Sequence, residues 1–200
     1  GFVAYWEIEA SEKTALDGKW VEIDAGSFFD TLFSRWDKER FIAEDLGDIT
    51  PDVKEIIKLY DLPGMKILLF AFGDDFPYGE YLPSVFGENC VVYTGTHDNN
   101  TARGWWEDEA GDAEKNRVFE YIGREIDDDE ISSELIKLAM FSPADTAVIP
   151  MQDVLGLGGE ARMNRPAVRK GNWEWRLQPG YSSRELRDRI LEITRKSGRF

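Results

Sequence analysis

The sequence has few of the residues on which metal centres, disulfides and nucleophilic triads depend. Among 200 residues it holds one cysteine, Cys90, and one histidine, His97. A single cysteine excludes an intrachain disulfide, and without HExxH or CxxC motifs a transition-metal site is disfavoured. There is no GxSxG elbow, and the glycines of 156–159 follow neither dinucleotide nor Walker spacing. The sequence therefore predicts no metal site and no serine triad.

Basic residues and long apolar runs are also scarce. The chain carries 24 Lys and Arg against 39 Asp and Glu, a formal net charge of −15. Nucleic acids and anionic membranes are polyanions that require a basic patch, so neither is an expected partner. No stretch approaches the roughly 20 apolar residues of a membrane span, and the first residues lack the pattern of a signal peptide. We expect a soluble, cytoplasmic protein with a neutral or cationic ligand.

The pattern that is present alternates strand-like and helix-like segments. Apolar runs typical of strands occupy residues 40–47, 65–73, 90–100 and 145–150, and helical periodicity occupies 27–36, 50–60, 112–125, 129–140 and 182–196. Ser27 and Thr50 are the expected N-caps of the first two helices. This alternation predicts an α/β fold with a mostly parallel sheet. Without a convincing linker or repeat, we interpret residues 1–200 as one unit.

Polar side chains gather where the predicted strands end. They form four pairs: Glu44 and Asp45, Asp74 and Asp75, His97 and Asp98, and Gln152 and Asp153. The carboxyl ends of parallel strands are where α/β proteins build their sites, so these pairs predict a functional site. Taken alone, "VVYTGTHDNNT" (91–101) is equally typical of a simple turn.

The carboxylates favour glycoside chemistry. Two carboxylates in one cleft, here Glu44 and Asp98, can protonate a departing oxygen and attack or stabilise an oxocarbenium-like centre. The seven tryptophans would offer flat faces to a sugar ring. Trp105 and Trp106, which follow the third strand, are equally compatible with a place in the core.

Longer blocks of the sequence resemble the amylomaltases, or 4-α-glucanotransferases. The blocks are "GFVAYWEI", "IAEDLG.ITPDV", "LPGMKILLFAF", "YLP", "VVYTGTHDNNT.RGWW", "FSPADTAVIPMQDVLGLG.EARMNRP" and "GNWEWRL". The resemblance implies a (β/α)8 TIM barrel, of which these residues would form the last four βα units. It also implies an α-1,4-glucan donor, a glucose or maltooligosaccharide acceptor, no cofactor, and a plastid location if the source is a plant.

The resemblance assigns roles to single residues. Glu44 of "AEDLG" matches the general acid/base of the family. Asp98 of "THDN" matches the carboxylate that binds the donor sugar and supports the transition state, and His97 matches the histidine that hydrogen-bonds the same sugar. Further candidates for substrate contact are Asn99, Asn164, Phe70 and Phe72.

One expected part is not among these blocks. The nucleophilic aspartate of the family lies in an "RIDHFRG"-like motif directly before the segment that matches "GFVAYWEI". We therefore expect the nucleophile to precede residue 1 and residues 1–200 alone to be inactive. Two alternatives stay open: a non-catalytic half-barrel that associates with itself or with a partner chain through its unpaired edges, and part of an α-glucan hydrolase.

Overall fold

The computed structural model describes residues 1–47, 49–181 and 183–199. It divides into two compact units, Gly1–Met65 and Lys66–Phe200. Each unit is described by itself below. The interpretation of the whole chain as one domain stays a prediction.

The first unit begins with a β-hairpin. Strand β1 (Ala4–Glu7) pairs antiparallel with β2 (Lys19–Glu22), and Trp6 lies opposite Trp20. Their rings meet edge to face with 5.3 Å between centroids, the kind of cross-strand pair that stabilises a hairpin. The sequence did not predict these strands, because each has four residues and no two-residue turn joins them.

Two short helices complete the first unit. Helix α1 (Ala25–Phe33) starts earlier than predicted, because its N-cap is Asp24, which accepts a hydrogen bond from the backbone of Ser27. Helix α2 (Pro51–Leu59) begins after Thr50 as predicted, with proline at its first position. The buried residues of the core between them are Ala25, Phe29 and Leu62, with Val3, Leu32, Phe33, Phe41, Ala43, Ile56, Ile57 and Tyr60 packed against them.

The predicted strand over 40–47 is wrong. Phe41 has extended backbone angles, but no regular strand is assigned from 41 to 47. Among the described residues, one backbone hydrogen bond joins this segment to a distant part of its unit, from Ala43 N–H to the Pro63 carbonyl at 2.8 Å. One such bond does not make a strand ladder, and Gly47 at the end of the segment has a left-handed φ of 88°.

A three-stranded sheet has the order β3-β4-β5, with β3 at Gly64–Ile67, β4 at Cys90–Tyr93 and β5 at Thr146–Val148. Strands β4 and β5 are parallel, with Val92 opposite Ala147. Strand β3 is shorter than the predicted run because Leu68–Phe70 turn into a 3-10 helix. Three of four predicted strands are thus found in the described residues, which confirms the α/β content but not four βα units.

The described part of the second unit contains five α-helices. They are α3 (Ala102–Asp108), α4 (Asp112–Ile122), α5 (Ile131–Met140), α6 (Met151–Val154) and α7 (Arg184–Lys196). Helices α4, α5 and α7 follow the predicted periodicity; Ser182, the first residue of the predicted last helix, lies outside the described residues. Trp105 and Trp106 on α3 are 7% and 1% exposed, so both belong to the core. Among the described helices none is long and apolar enough to cross a membrane.

Helix α3 packs closely on the chain at Gly159, and this contact requires glycine at position 104. A Cβ built on Gly104 would lie 2.7 Å from both Cα and N of Gly159. Gly104→Ala is therefore expected to lower the free energy of unfolding by about 1–3 kcal/mol, because the overlap outweighs the gain in helix propensity of at most about 1 kcal/mol. Urea unfolding measures the loss. Gly87→Ala is the control, since a Cβ there meets no atom within 4 Å; equal midpoints for the two variants would refute the steric argument.

Candidate functional site

The segment from 94 to 101 links β4 to α3 and forms a tightly bonded turn. The Asn99 side-chain oxygen accepts from the backbone N–H and the hydroxyl of Thr96, both at 2.8 Å. Thr101 caps α3 by accepting from the Gly104 N–H at 2.9 Å. The segment is therefore a turn, and its hydrogen-bonded backbone holds His97 and Asp98 exposed to solvent. A turn and a functional site are compatible interpretations of this segment.

Three residues predicted for the site meet at the Asp98 carboxylate. The Asn164 side-chain N–H donates to Oδ1 of Asp98 at 2.5 Å, and Nε2 of His97 lies 3.4 Å from the same oxygen. The backbone N–H of Asn164 also donates to the carbonyl of His97 at 3.0 Å. Asn164 is therefore a partner of Asp98 and orients its carboxylate.

Arg162, whose sequence context predicted no role in the site, connects this cluster through three hydrogen bonds. Its guanidinium donates to the carbonyls of Asp98 and Asn164 at 2.8 and 2.9 Å and to Glu109 Oε1 at 2.9 Å. Glu109 accepts a further hydrogen bond from Asn100 at 3.0 Å. The fixed fork of a guanidinium suits three simultaneous acceptors, so Arg162 joins two distant segments. The block "EARMNRP" contained this residue, but nothing in its spacing distinguished Arg162 from a surface arginine.

Trp173 supplies an aromatic face beside His97, with 5.1 Å between the ring centroids. Its φ of 63° lies in the left-handed region, which is rare for a bulky residue and is found disproportionately at functional sites. A hydrogen bond from its backbone N–H to the Met163 carbonyl, 2.7 Å, holds this conformation. The indole remains 53% exposed and is available to a ligand.

The two candidate phenylalanines differ in position. Phe70 is 42% exposed and lines a cavity of about 390 Å³ together with Asn99 and Glu109. Phe72 is completely buried, and its ring packs against those of Phe76, Trp105 and Tyr121. The placement of Phe72 in the core argues against the predicted substrate contact. Alternation along the sequence did not separate the two because both follow the end of β3, in a 3-10 helix and the turn after it.

A second cavity, of about 180 Å³, lies under the turn and is lined by His97, Asn99, Arg162 and the buried carboxylate of Asp153. Asp153 is 2% exposed. It accepts from the Thr94 hydroxyl at 2.5 Å and from the Ala102 N–H at 2.7 Å. Burial raises the pKa of Asp153 above that of an ordinary aspartate, and the two hydrogen bonds oppose the rise.

The raised pKa of Asp153 predicts how stability changes with pH. Between the ordinary aspartate pKa, about 3.9, and the raised native value, the folded state binds more protons than the unfolded state, so this group's contribution to stability falls as pH rises. Asp153→Asn should remove that decline, and the exposed Asp188→Asn should keep it. Urea unfolding at increasing pH from about 4 measures the difference; parallel curves for wild type and Asp153→Asn would contradict it.

Glu44 belongs to the first unit and is described within it. Its side chain is exposed, and both neighbours are fixed: Ala43 by the bond to Pro63, and Asp45 by accepting from the Met65 N–H at 2.7 Å. The Asp45 carboxylate lies directly over Gly64, where a Cβ would collide with it. The backbone of Glu44 is therefore held between two anchors.

The cluster in the second unit suits a neutral ligand rich in hydroxyls. It combines a carboxylate, an amide, an imidazole and an indole face, which together accept, donate and stack. In residues 1–47, 49–181 and 183–199 no group of three or more His, Cys, Asp or Glu side chains is placed to hold a metal ion. The chemistry that this arrangement supports is recognition of a sugar.

Comparison with known proteins gives a family model described as 4-alpha-glucanotransferase, which matches residues 1–182. The chain is 44% identical over 185 residues to the 4-alpha-glucanotransferase of Aquifex aeolicus, covering 92% of this chain and 38% of that protein. It is 47% identical over 177 residues to the chloroplastic/amyloplastic 4-alpha-glucanotransferase of Solanum tuberosum, covering 88% of this chain and 30% of that protein. The chain thus spans roughly a third of the length of these relatives.

A solved structure has the same fold. Amylomaltase from Streptococcus agalactiae, in complex with acarbose, superimposes with a TM-score of 0.90 at 30% identity, covering 99% of this chain and 40% of that chain. Amylomaltase from Corynebacterium glutamicum, at 17% identity and a TM-score of 0.71, shares the fold.

Proposed function

The chain belongs to the 4-alpha-glucanotransferase family, and from this premise we propose that the full-length protein disproportionates α-1,4-glucans. The observation that carries the proposal is the cluster of Asp98, His97 and Asn164 on the turn after β4, beside the exposed face of Trp173. The donor would be a maltooligosaccharide, starch or glycogen. The acceptor would be the 4-hydroxyl of glucose or of another maltooligosaccharide.

In the proposed retaining mechanism Glu44 acts as general acid and then as general base. It protonates the oxygen of the departing sugar, and after glycosyl transfer to a carboxylate nucleophile it removes the proton of the acceptor hydroxyl. Its solvent-exposed side chain on an anchored backbone supports this role. Neither Glu44 nor Asp98 is assigned as the covalent nucleophile.

Asp98 stabilises the positive charge that develops on the donor sugar. Its carboxylate is held by Asn164 and faces solvent, so it can accept hydrogen bonds from sugar hydroxyls. His97 donates to or accepts from the same sugar, and the Trp173 face stacks on its C–H surface. Asn99 and Phe70 line the adjoining cavity of about 390 Å³ and are proposed to contact the neighbouring sugar.

We further propose that these residues belong to a (β/α)8 barrel, of which they supply the later βα units. The parallel pairing of β4 and β5 and the likeness to the amylomaltase of S. agalactiae support this. The cytoplasm, or a plastid as in the name of the potato relative, is the proposed location.

Incubation of the full-length protein with maltotriose tests the function. Transfer gives glucose and maltopentaose and leaves the number of reducing ends constant, whereas hydrolysis gives maltose and glucose and raises it. We expect the first result, and no turnover by residues 1–200 alone. A rise in reducing ends would favour the hydrolase alternative. Light scattering of residues 1–200 tests self-association, which a monodisperse monomer would contradict.

A further inference from the structure

We propose that Asp153 is a positioning residue, which fixes the turn that carries His97 and Asp98 by bonding to both of its ends. For its activity readout this inference rests on the proposed glucanotransferase function. Asp153 lies on α6, more than 50 positions along the chain from the turn, and touches neither His97 nor Asp98 through a hydrogen bond that the structure records. Asp153 would therefore affect binding of the sugar only indirectly, by fixing the backbone of the turn.

The two contacts of Asp153 bracket the turn. Oδ2 accepts from the hydroxyl of Thr94, the first residue after β4, and Oδ1 accepts from the N–H of Ala102, the first residue of α3. One carboxylate therefore joins the end of a strand to the start of a helix, with residues 95–101 between them. Fixing both ends of a loop this short leaves its backbone few alternative paths.

The burial of this carboxylate also favours a positioning role. Within the part of the chain that the structure describes, Asp153 is the only carboxylate that is buried. Removing a carboxylate from water is unfavourable, and an apolar side chain of similar size usually stabilises a core as well or better. The stability of the core therefore does not require an aspartate here. The two hydrogen bonds require one, because they need an acceptor for both the Thr94 hydroxyl and the Ala102 N–H.

The contacts of the turn itself do not replace this bracket. Asn99 closes the turn onto Thr96, Thr101 caps α3, and Asn100 donates to Glu109 after the end of α3, but none of these bonds reaches Thr94 at the end of β4. Arg162 holds the Asp98 carbonyl from outside. Asp153 is the side chain that relates the strand to the helix, and so it sets where the whole turn lies.

Four variants of the full-length protein test the proposal. Asp153→Ala removes both bonds, and Thr94→Val removes the bond to the residue that follows β4. Each is expected to lower kcat for maltotriose by about 100-fold with little change in KM, because a displacement of about 1 Å in the turn misplaces Asp98. Asp153→Asn and Thr94→Ser should restore kcat to within about tenfold of wild type. An asparagine can accept from Ala102 N–H through Oδ1 and donate to the Thr94 hydroxyl through Nδ2, and a serine keeps the hydroxyl.

Val118→Ala is the matched control for a loss of stability. Val118 is completely buried on α4, so its truncation lowers the melting temperature without touching the turn. Assayed well below its melting temperature, this variant should keep wild-type kcat. If Asp153→Ala also keeps wild-type kcat, or if Asp153→Asn is as impaired as Asp153→Ala, the positioning role is overturned.

Hydrogen exchange separates this inference from the proposed function. In Asp153→Ala the amides of 95–102 should exchange faster than in wild type, while those of α5 stay protected; unchanged exchange in the turn would overturn the proposal. A wild-type protein that transfers no glucan would refute the function alone, because the exchange measurement needs no activity.

Discussion

Asp98→Asn in the full-length protein is expected to lower kcat for glucan transfer by about a thousandfold or more while the fold stays intact. Asparagine keeps the shape of the side chain, and its oxygen can still accept from the Asn164 N–H, so the local geometry survives. The negative charge is lost, and with it the stabilisation of the positive charge on the donor sugar. Because that charge is greatest in the transition state, kcat should fall far more than KM rises.

Steady-state kinetics with maltotriose measures the effect, and circular dichroism with thermal unfolding checks the fold. Asp188→Asn is the control, since this exposed carboxylate on α7 forms an ion pair with Arg184 on the same helix at 3.6 Å. It should leave kcat unchanged. Near-normal turnover by Asp98→Asn would refute the role assigned to Asp98.

Glu44→Gln is expected to lower kcat by about 10²–10⁴-fold, because glutamine cannot supply the proton that the departing sugar needs. The rate of the first step, formation of the glycosyl-enzyme, should recover with a donor such as maltosyl fluoride, whose leaving group needs no protonation. The second step still requires a base, so a covalent glycosyl-enzyme should accumulate. Intact mass spectrometry of the full-length variant, quenched after mixing with this donor, detects the adduct.

Glu39→Gln is the matched control in the same unit, since this exposed residue lies in a 3-10 helix five positions earlier. It should retain wild-type kcat. If Glu44→Gln releases fluoride from maltosyl fluoride in the first turnover as slowly as it cleaves maltotriose, and no adduct forms, Glu44 is not the general acid.

The longer helices were predictable because their signals are local. Helix α2 follows from Thr50, Pro51 and an apolar face, and α4 and α5 from periodicity alone. The ends of α1 were missed by a few residues because Asp24 and Ser27 are both good caps, and only packing selects between them. The first hairpin was not predicted, and the strand predicted at 40–47 is wrong. Both outcomes depend on pairing between residues distant in the sequence, and a local sequence pattern does not contain this information.

For the cluster around Asp98, the sequence predicted which residues lie together but not how they contact one another. Blocks of sequence pointed to the family, which is confirmed, and to Asp98, His97 and Asn164, which the structure brings together. Asn164 and Arg162 each bond to Asp98, from a segment more than 60 positions away in the sequence. A sequence pattern does not show which distant segments meet. The sequence did not show that Phe70 is exposed and Phe72 buried, because the chain turns into a 3-10 helix after β3, which changes the face that each residue presents.

The anchors beside Glu44 have a consequence for the temperature dependence of the reaction. Ala43 bonds to Pro63, and Asp45 bonds to Met65 across the space that Gly64 leaves, so the backbone of Glu44 loses its freedom when the unit folds. This loss of backbone conformational entropy occurs on folding, before a substrate binds, and is not repeated in each turnover. If the anchor at Asp45 were removed, this entropy would be lost during the reaction instead, and the intercept of an Eyring plot would show a more negative activation entropy.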